Sequence, residues 1–400
     1  MNLSHILSLP IFTRLKALRH RLALSLVLVA AMAMTSCNLM HDDTPPCALD
    51  PNQFTIVNFV YDYNMDGVDS LYAHVGSIYL YIFDSEDVLV HRRELHRENM
   101  GVDDEFKVVF DSSEIKPGRV YYAYAVAEGT PGQHDESTPG FTLVNPMVEG
   151  VSTIADFGIE LQSEMRDVDN DGQLTKADVF RPVQDGRFDN FENIDTVWVT
   201  KKPQTIAIQP VYAEFDSPVQ LPDIVNEITV PLLRITNYID IRLSDRNGSF
   251  TTDTDTDEFN LVIHFPDGNG MLNITGNRLE HKDLWYRAIR KSMLPVSRAD
   301  QARLRAEFGV SRLQERYAAE LQIYNYDFSA QIVEPIDIYK YILEAQQEMT
   351  GMDNDEYLDR EFNFEIDLEY DNIQADYPKL LSITVYILGW AKRFQFETLG

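Results

Sequence analysis

Cysteine is nearly missing: the 400 residues hold two, Cys37 and Cys47. That count excludes a disulfide framework or a zinc site. Basic side chains are also scarce. There are 34 of them against 64 acidic ones, a formal net charge of −30, so the basic footprint of a nucleic-acid partner is absent. An acidic excess favours solubility and cation binding and says nothing about fold. Catalytic signatures are missing as well. The nine His form no HExxH pairing, and there is neither a Gly-rich phosphate loop nor a G-x-S-x-G elbow. Chance carboxylate pairs are guaranteed among 64 acids, and no two stand out as a hydrolase pair. The chain is read as a non-enzyme. No internal period of roughly 20–50 residues is visible, which excludes a solenoid.

What is present begins at the front. Arg14, Lys16, Arg19 and Arg21 form a basic segment, and Leu22 to Ala33 an apolar one too short to span a bilayer comfortably. Thr35 and Ser36 then lead directly into Cys37. Residues 1–36 read as a signal peptide, and "MTSC" resembles a loose bacterial lipobox, with Met34 in place of the more usual Leu. In such precursors the thiol receives a covalent diacylglycerol, the peptide is cut before the cysteine, and a further acyl chain is added. Each buried CH₂ contributes roughly 0.8 kcal/mol, so several chains on one residue hold a soluble domain without a membrane span. Loss of residues 1–36, which carry four bases and no acid, moves the net charge from −30 to −34. His41, Asp42 and Asp43 follow, resembling the acidic tag that sends some Bacteroidetes lipoproteins to the outer leaflet; a solvated linker reads the same way. Thr44, Pro45 and Pro46 suit an extended tether over 37–52.

From Phe54 onward the texture is that of strands. With 20 Tyr and 21 Phe the composition leans that way. "FTIVNFVYDYN", "HVGSIYLYIFD", "EFKVVFD" and "RVYYAYAVAEG" are apolar-aromatic runs bounded by turn residues. Asp84–Asp87 and Lys116-Pro117-Gly118 mark turns. Short strands at this spacing predict an antiparallel sandwich. An acidic insertion at about 160–190 interrupts them, and strands resume at "DTVWVT" and "TIAIQP". Pro210 to Asn226 reads as a connector, which divides the chain into a unit at 53–215 and a second at 226–400. In the second, "EITVPLLRITNYIDIRL", "FNLVIHFPDGNG", "FNFEIDLEYD" and "LLSITVYILGWAKRFQF" are strands, while Asp300–Phe308 and Pro335–Gln347 are expected to be helices. Trp198, Trp285 and Trp390 are expected in the core or at sheet edges. His91, Arg92, Arg93, His96 and Arg97 read as surface charge.

One motif carries chemistry. "DVDNDGQLTKAD" places Asp167, Asp169, Asp171, Gln173, Thr175 and Asp178 at positions 1, 3, 5, 7, 9 and 12 of a calcium loop, with Gly172 at the turn. Alternating carboxylates converge on one hard cation, and the Gln173 carbonyl adds an oxygen. Asp rather than Glu at the last position shortens the arm and lowers the expected affinity to the range of extracellular modules, roughly 10⁻⁴–10⁻³ M. A similar stretch at Asp62–Gly67 fits poorly, because Asp69 occupies the position that should be apolar.

The lipobox, the second cysteine, "FVYDYN" and "HVGSIYLYIFDSEDVLV" are followed in order by "VPLLRITNYIDIRL", "VSRLQERYAAELQIYN", "IDIYKYILEA", "YLDREFNFEIDLEYD" and "SITVYILGW". This series resembles the FimB-like fimbrillin anchor-subunit family of Bacteroidetes pili. The resemblance implies a mainly all-β fold of two transthyretin-like antiparallel sandwich domains with a few short helices. It also implies a lipoprotein of the outer membrane, facing outward, that fixes a pilus by strand exchange with pilin subunits of the same system. Pilins of that kind are cleaved after an Arg on the N-terminal side, whereas an anchor need not be; no Arg lies between Cys37 and Arg92 here. The competing expectation is a calcium-stabilised adhesin or glycan-binding lipoprotein on the same fold, without a polymer partner.

Overall fold

The computed structural model describes residues 53–100, 105–129, 141–161, 196–209, 224–248, 250–251, 254–266, 270–279, 284–294, 302–314, 317–375 and 378–396. Through the first half run β1 (Gln53–Val60), α1 (Leu71–His74), β2 (Val75–Asp84), β3 (Leu89–His96), β4 (Lys107–Asp111), β5 (Val120–Gly129), β6 (Phe141–Leu143), β7 (Ile159–Leu161), β8 (Val197–Thr200) and β9 (Gln204–Ala207). Next come β10 (Ile224–Arg234), β11 (Thr236–Asp245), β12 (Phe259–Phe265), β13 (Met271–Leu272), β14 (Leu284–Arg287), β15 (Arg290–Leu294), β16 (Arg303–Ser311), β17 (Glu320–Asn325) and β18 (Ile336–Asp337). The chain closes with α2 (Ile338–Met349), α3 (Asn354–Arg360), β19 (Asn363–Asp371), β20 (Lys379–Ile387) and β21 (Trp390–Gln395). The fold is all-β with short helices.

The first sheet runs β3-β2-β5-β8-β10-β1-β4, with β9 also on β5. Its long strand β10 belongs to two layers. Ile224–Pro231 pair in parallel with β1, whereas Leu232–Arg234 pair antiparallel with β8. The sheet folds over there, because strands at opposite ends of the order line one core. Val57 and Phe59 of β1 and Val108 and Phe110 of β4 meet Ile78, Leu80 and Ile82 of β2 and Trp198 of β8. Period-two alternation produces this arrangement. In β1 every second residue from Gln53 is buried and the next is half-buried.

The opposite face of β2 and β5 is also apolar, and a second layer covers it. Tyr81, Phe83, Tyr124 and Val126 pack with Phe141, Phe157, Ile159 and Leu161. The small sheet β13-β7-β6 stitches that segment to the later chain through Met271–Leu272. The remaining strands form β15-β16-β11-β19-β20-β21 and β14-β12-β17-β18. Between them lie Ile239, Ile241, Phe308, Ile366 and Ile383 from the larger sheet, and Leu261, Ile263, Leu321 and Ile323 from the smaller. Helix α2 adds Ile338, Ile342 and Ala345 to the same core. The Asp337 carboxylate caps its first turn by accepting the Lys340 N–H at 3.0 Å.

The helix expected at Asp300–Phe308 is instead β16. Arg, Leu, Ala and Glu favour helices in isolation, yet Leu304, Ala306, Phe308 and Val310 alternate into the core, and pairing with β11 and β15 on both sides overrides local preference. The helix expected around Pro335–Gln347 is present as α2.

Candidate functional site

Cys37 and the calcium-loop residues Asp167, Asp169, Asp171, Gln173, Thr175 and Asp178 lie outside the described residues. Among the described residues no group of three His, Cys, Asp or Glu side chains is placed to hold a metal ion, and no helix is long and apolar enough to cross a membrane. The polar residues of Asp62–Asp69 close a turn. The Asn64 amide donates to the carbonyls of Tyr61 and Val68, and Asp69 accepts the N–H groups of Tyr61 and Leu71. Gly67 takes φ +63° at the tip, a left-handed conformation that suits glycine.

The first described strand is central to its layer. β1 is paired on both sides, in parallel with β10 from Gln53↔Ile224 to Val60↔Pro231 and antiparallel with β4 from Phe54↔Asp111 to Asn58↔Lys107. Its core side chains Val57 and Phe59 are 0% and 6% exposed. Each such side chain stabilises the fold by roughly 1.5–3 kcal/mol. Removal of β1 would open a groove floored by Ile78, Leu80, Ile82 and Trp198 of the facing layer and flanked by the unpaired edges of β4 and β10. The sequence shows the apolar run but not the pairing, because β1 and its parallel partner come from distant parts of the chain.

The turn after β1 reaches across to the C-terminal part of the molecule. Tyr63 lies between two cations, with Lys201 Nζ 2.8 Å and Arg360 Cζ 4.7 Å from its ring centroid. Arg234, at the end of β10, stacks 4.2 Å from the Phe362 ring and 5.9 Å from Trp198. Burial lowers the Arg234 pKa to about 10. Beside it, burial raises the Glu361 carboxyl although its oxygen accepts the N–H groups of Phe362 and Asn363. Arg312 pairs with Asp359 in the same region. These contacts join the turn after β1, the end of β10 and the residue after β16 to α3 and the residues just beyond it.

The outer face of the larger C-terminal sheet carries a charge lattice. Asp240 stands opposite Glu307 on one neighbour and Glu365 on the other. Three acids in a row would repel, but the next rung supplies Arg305 and Arg242. Arg242 reaches Asp240 at 2.8 Å and Glu365 at 2.7 Å; Arg305 reaches Asp240 at 3.0 Å and Glu307 at 2.7 Å. Arg303 and the Tyr386 hydroxyl hold Asp367 at 2.7 and 2.9 Å, yet burial still raises its pKa. Alternation of charged with apolar residues in "RLRAEF" and "EIDLEY" is the sequence signal for this face.

The basic patch on β3 is paired off: Arg93 with Glu114 at 2.6 Å, Arg92 with Glu94, and His91 Nε2 2.8 Å from the Glu114 carbonyl. Trp198 and Trp285 are buried, 0% and 7% exposed, whereas Trp390 on β21 is 73% exposed.

The sequence profile described as "Fimbrillin-A associated anchor proteins Mfa1 and Mfa2" matches residues 42–396. The chain belongs to this anchor-protein family. Membership gives it a fimbrial or adhesin-like role at the cell surface or envelope. Among solved structures, a candidate adhesin from Bacteroides thetaiotaomicron is 19% identical with a TM-score of 0.63, covering 88% of this chain and 99% of that one. A candidate polysaccharide-binding protein from the same organism is 19% identical with a TM-score of 0.61, covering 86% and 98%. The fimbrial anchor protein Mfa2 from Porphyromonas gingivalis is 15% identical with a TM-score of 0.50, covering 85% and 98%. At these identities the likeness is one of fold. No curated protein matches the chain.

Proposed function

We propose that this member of the anchor family is a fimbrial anchoring or accessory subunit, an outer-membrane lipoprotein acylated at Cys37 that holds pilin by β-strand complementation. Its two sandwich domains, 53–215 and 226–400 with β10 reaching back into the first, form the body held between lipid and fibre. The observation that carries this reading is the place of β1: an interior strand whose loss would expose core residues and two edges. Subunits that receive a strand in place of their own first one must have lost it, whereas an anchor joined to lipid through its front end must keep that front end. The absence of Arg between Cys37 and Arg92 agrees with retention. Calcium bound by Asp167, Asp169, Asp171, Gln173, Thr175 and Asp178 would stiffen the inserted segment at about 160–190. Deletion of the gene tests the anchoring role: fibres should be shed into the medium and return to the cells on complementation.

A second reading, a surface adhesin or glycan-binding lipoprotein, draws on the fold shared with the two Bacteroides thetaiotaomicron proteins. Under it, deletion would leave fibres attached and reduce binding to a glycan-coated surface.

A further inference from the structure

The ends of the sheets are not equally open. The free side of β3 is covered by its own chain: Leu89 gives its N–H to Ser152 and accepts that of Gly150, and the Arg92 N–H goes to Glu149. β21 differs. It is six residues long and, among the described residues, has β20 on one side only. Its turn is a two-residue hairpin in which Leu388 and Gly389 take φ +50° and +79°, so Ile387 and Trp390 are the hydrogen-bonded pair that closes it. The Phe396 N–H bonds to the Leu381 carbonyl in the same phase. Trp390, Lys392 and Phe394 therefore direct their backbone groups to β20, and Ala391, Arg393 and Gln395 direct theirs outward. No hydrogen bond among the described residues uses the outward groups.

The side chains along this edge fall into two sets. Trp390, Lys392 and Phe394 share the face that bears α2, where Phe394 meets Tyr341 with ring centroids 5.1 Å apart. Trp390 and Leu388 stand 73% and 61% exposed at the tip. Leu in a left-handed turn position costs about 1–2 kcal/mol, so an exposed apolar group is kept there against local preference. On the other face Arg393 is 49% exposed beside Glu369.

We infer that β21 is the acceptor edge for an extended segment of a fimbrial partner, which adds as a further strand. The segment carries apolar side chains towards Trp390 and Phe394 and an acidic one towards Arg393. This inference rests on the proposed fimbrial role and goes beyond it by placing the contact. The alternative occupant, β21 of a second copy, is disfavoured by charge: only the outward-directed residues can bond across the edge, so the antiparallel registers nearest the centre set Arg393 against Arg393 or Lys392 against Lys392. An acidic partner strand removes that repulsion.

The test is site-specific photocrosslinking of the full chain in its own cells. A benzophenone amino acid is placed at Arg393, or at Val151, which is 73% exposed and away from the edge. Mass spectrometry should map the Arg393 adduct to an extended, alternating segment of a fimbrial subunit, with no equivalent adduct at Val151. Ala391→Pro removes an outward N–H and leaves the β20 ladder intact. It should reduce the adduct about tenfold or more with an unchanged melting temperature. Trp390→Ala, which leaves the backbone alone, should reduce it about fivefold. An adduct to polysaccharide, to a second copy of this chain or to an unrelated protein would overturn the inference, as would full yield in both variants or none in the parent. Fibre retention in the parent and deletion strains separates the two ideas: if fibres depend on the chain while β21 gives no adduct, anchoring stands and this edge is wrong.

Discussion

Asp240→Ala is the sharpest perturbation of the C-terminal sheet. The Asp240 side chain is 2% exposed and bridges Arg242 at 2.8 Å and Arg305 at 3.0 Å. Removal of one partner from a buried ion pair costs about 3–5 kcal/mol, because the remaining charge is left desolvated. Here the arginines are 20% and 30% exposed, and each keeps a second carboxylate, Glu365 or Glu307. Solvent and those partners reduce the loss to about 2–3 kcal/mol. For a unit of roughly 150–250 residues this lowers the melting temperature by about 5–10 °C. Calorimetry and urea unfolding of Asp240→Ala, Arg305→Ala and the double variant measure it. A coupling energy above about 1 kcal/mol is expected for residues in direct contact. A loss below about 0.5 kcal/mol, or a coupling near zero, would refute the view that Arg242 and Arg305 offset the repulsion in the Asp240 row.

Other expectations follow from the same geometry. Gly276 sits at φ +77°, and a Cβ there would lie 3.0 Å from the Ile235 Cγ2 and 3.1 Å from the Val199 Cγ2; Gly276→Ala should therefore cost about 2–4 kcal/mol in urea unfolding. Burial raises the Glu361 carboxyl above its ordinary value of 4.5, so the folded state binds that proton more tightly than the unfolded one and loses stability as pH rises through the raised pKa. Glu361→Gln should therefore melt higher than the parent at pH 7 and converge with it below about pH 4.5; a parent curve already parallel to the variant across that range would contradict the assignment. Asp169→Ala combined with Asp171→Ala should abolish a calcium-dependent rise in melting temperature, and the absence of any such rise in the parent would remove the calcium proposal.

Much of the strand pattern was legible because apolar residues alternate where one face is buried, as in "EFKVVFD" and "FNFEIDLEYD". β16 was not: its helix-forming residues carry a period-two pattern that only the partners β11 and β15 make decisive. The parallel pairing of β1 with β10 was hidden for a different reason. It depends on a topology that local propensity does not encode. Trp390 is expected in the core or at an edge, and its exposure follows from β21 being an end strand of its sheet. The lipid and calcium residues were named from motifs alone, and they lie outside the described residues.

The central claim is that lipid at Cys37 and an uncut β1 hold the molecule to the envelope by its front end. Intact-mass analysis of the chain extracted with detergent from outer membranes tests it most directly. The account predicts a polypeptide that begins at Cys37, carries added acyl mass and retains Gln53–Val60. A chain that still begins at Met1, lacks acyl mass or starts beyond β1 would contradict it.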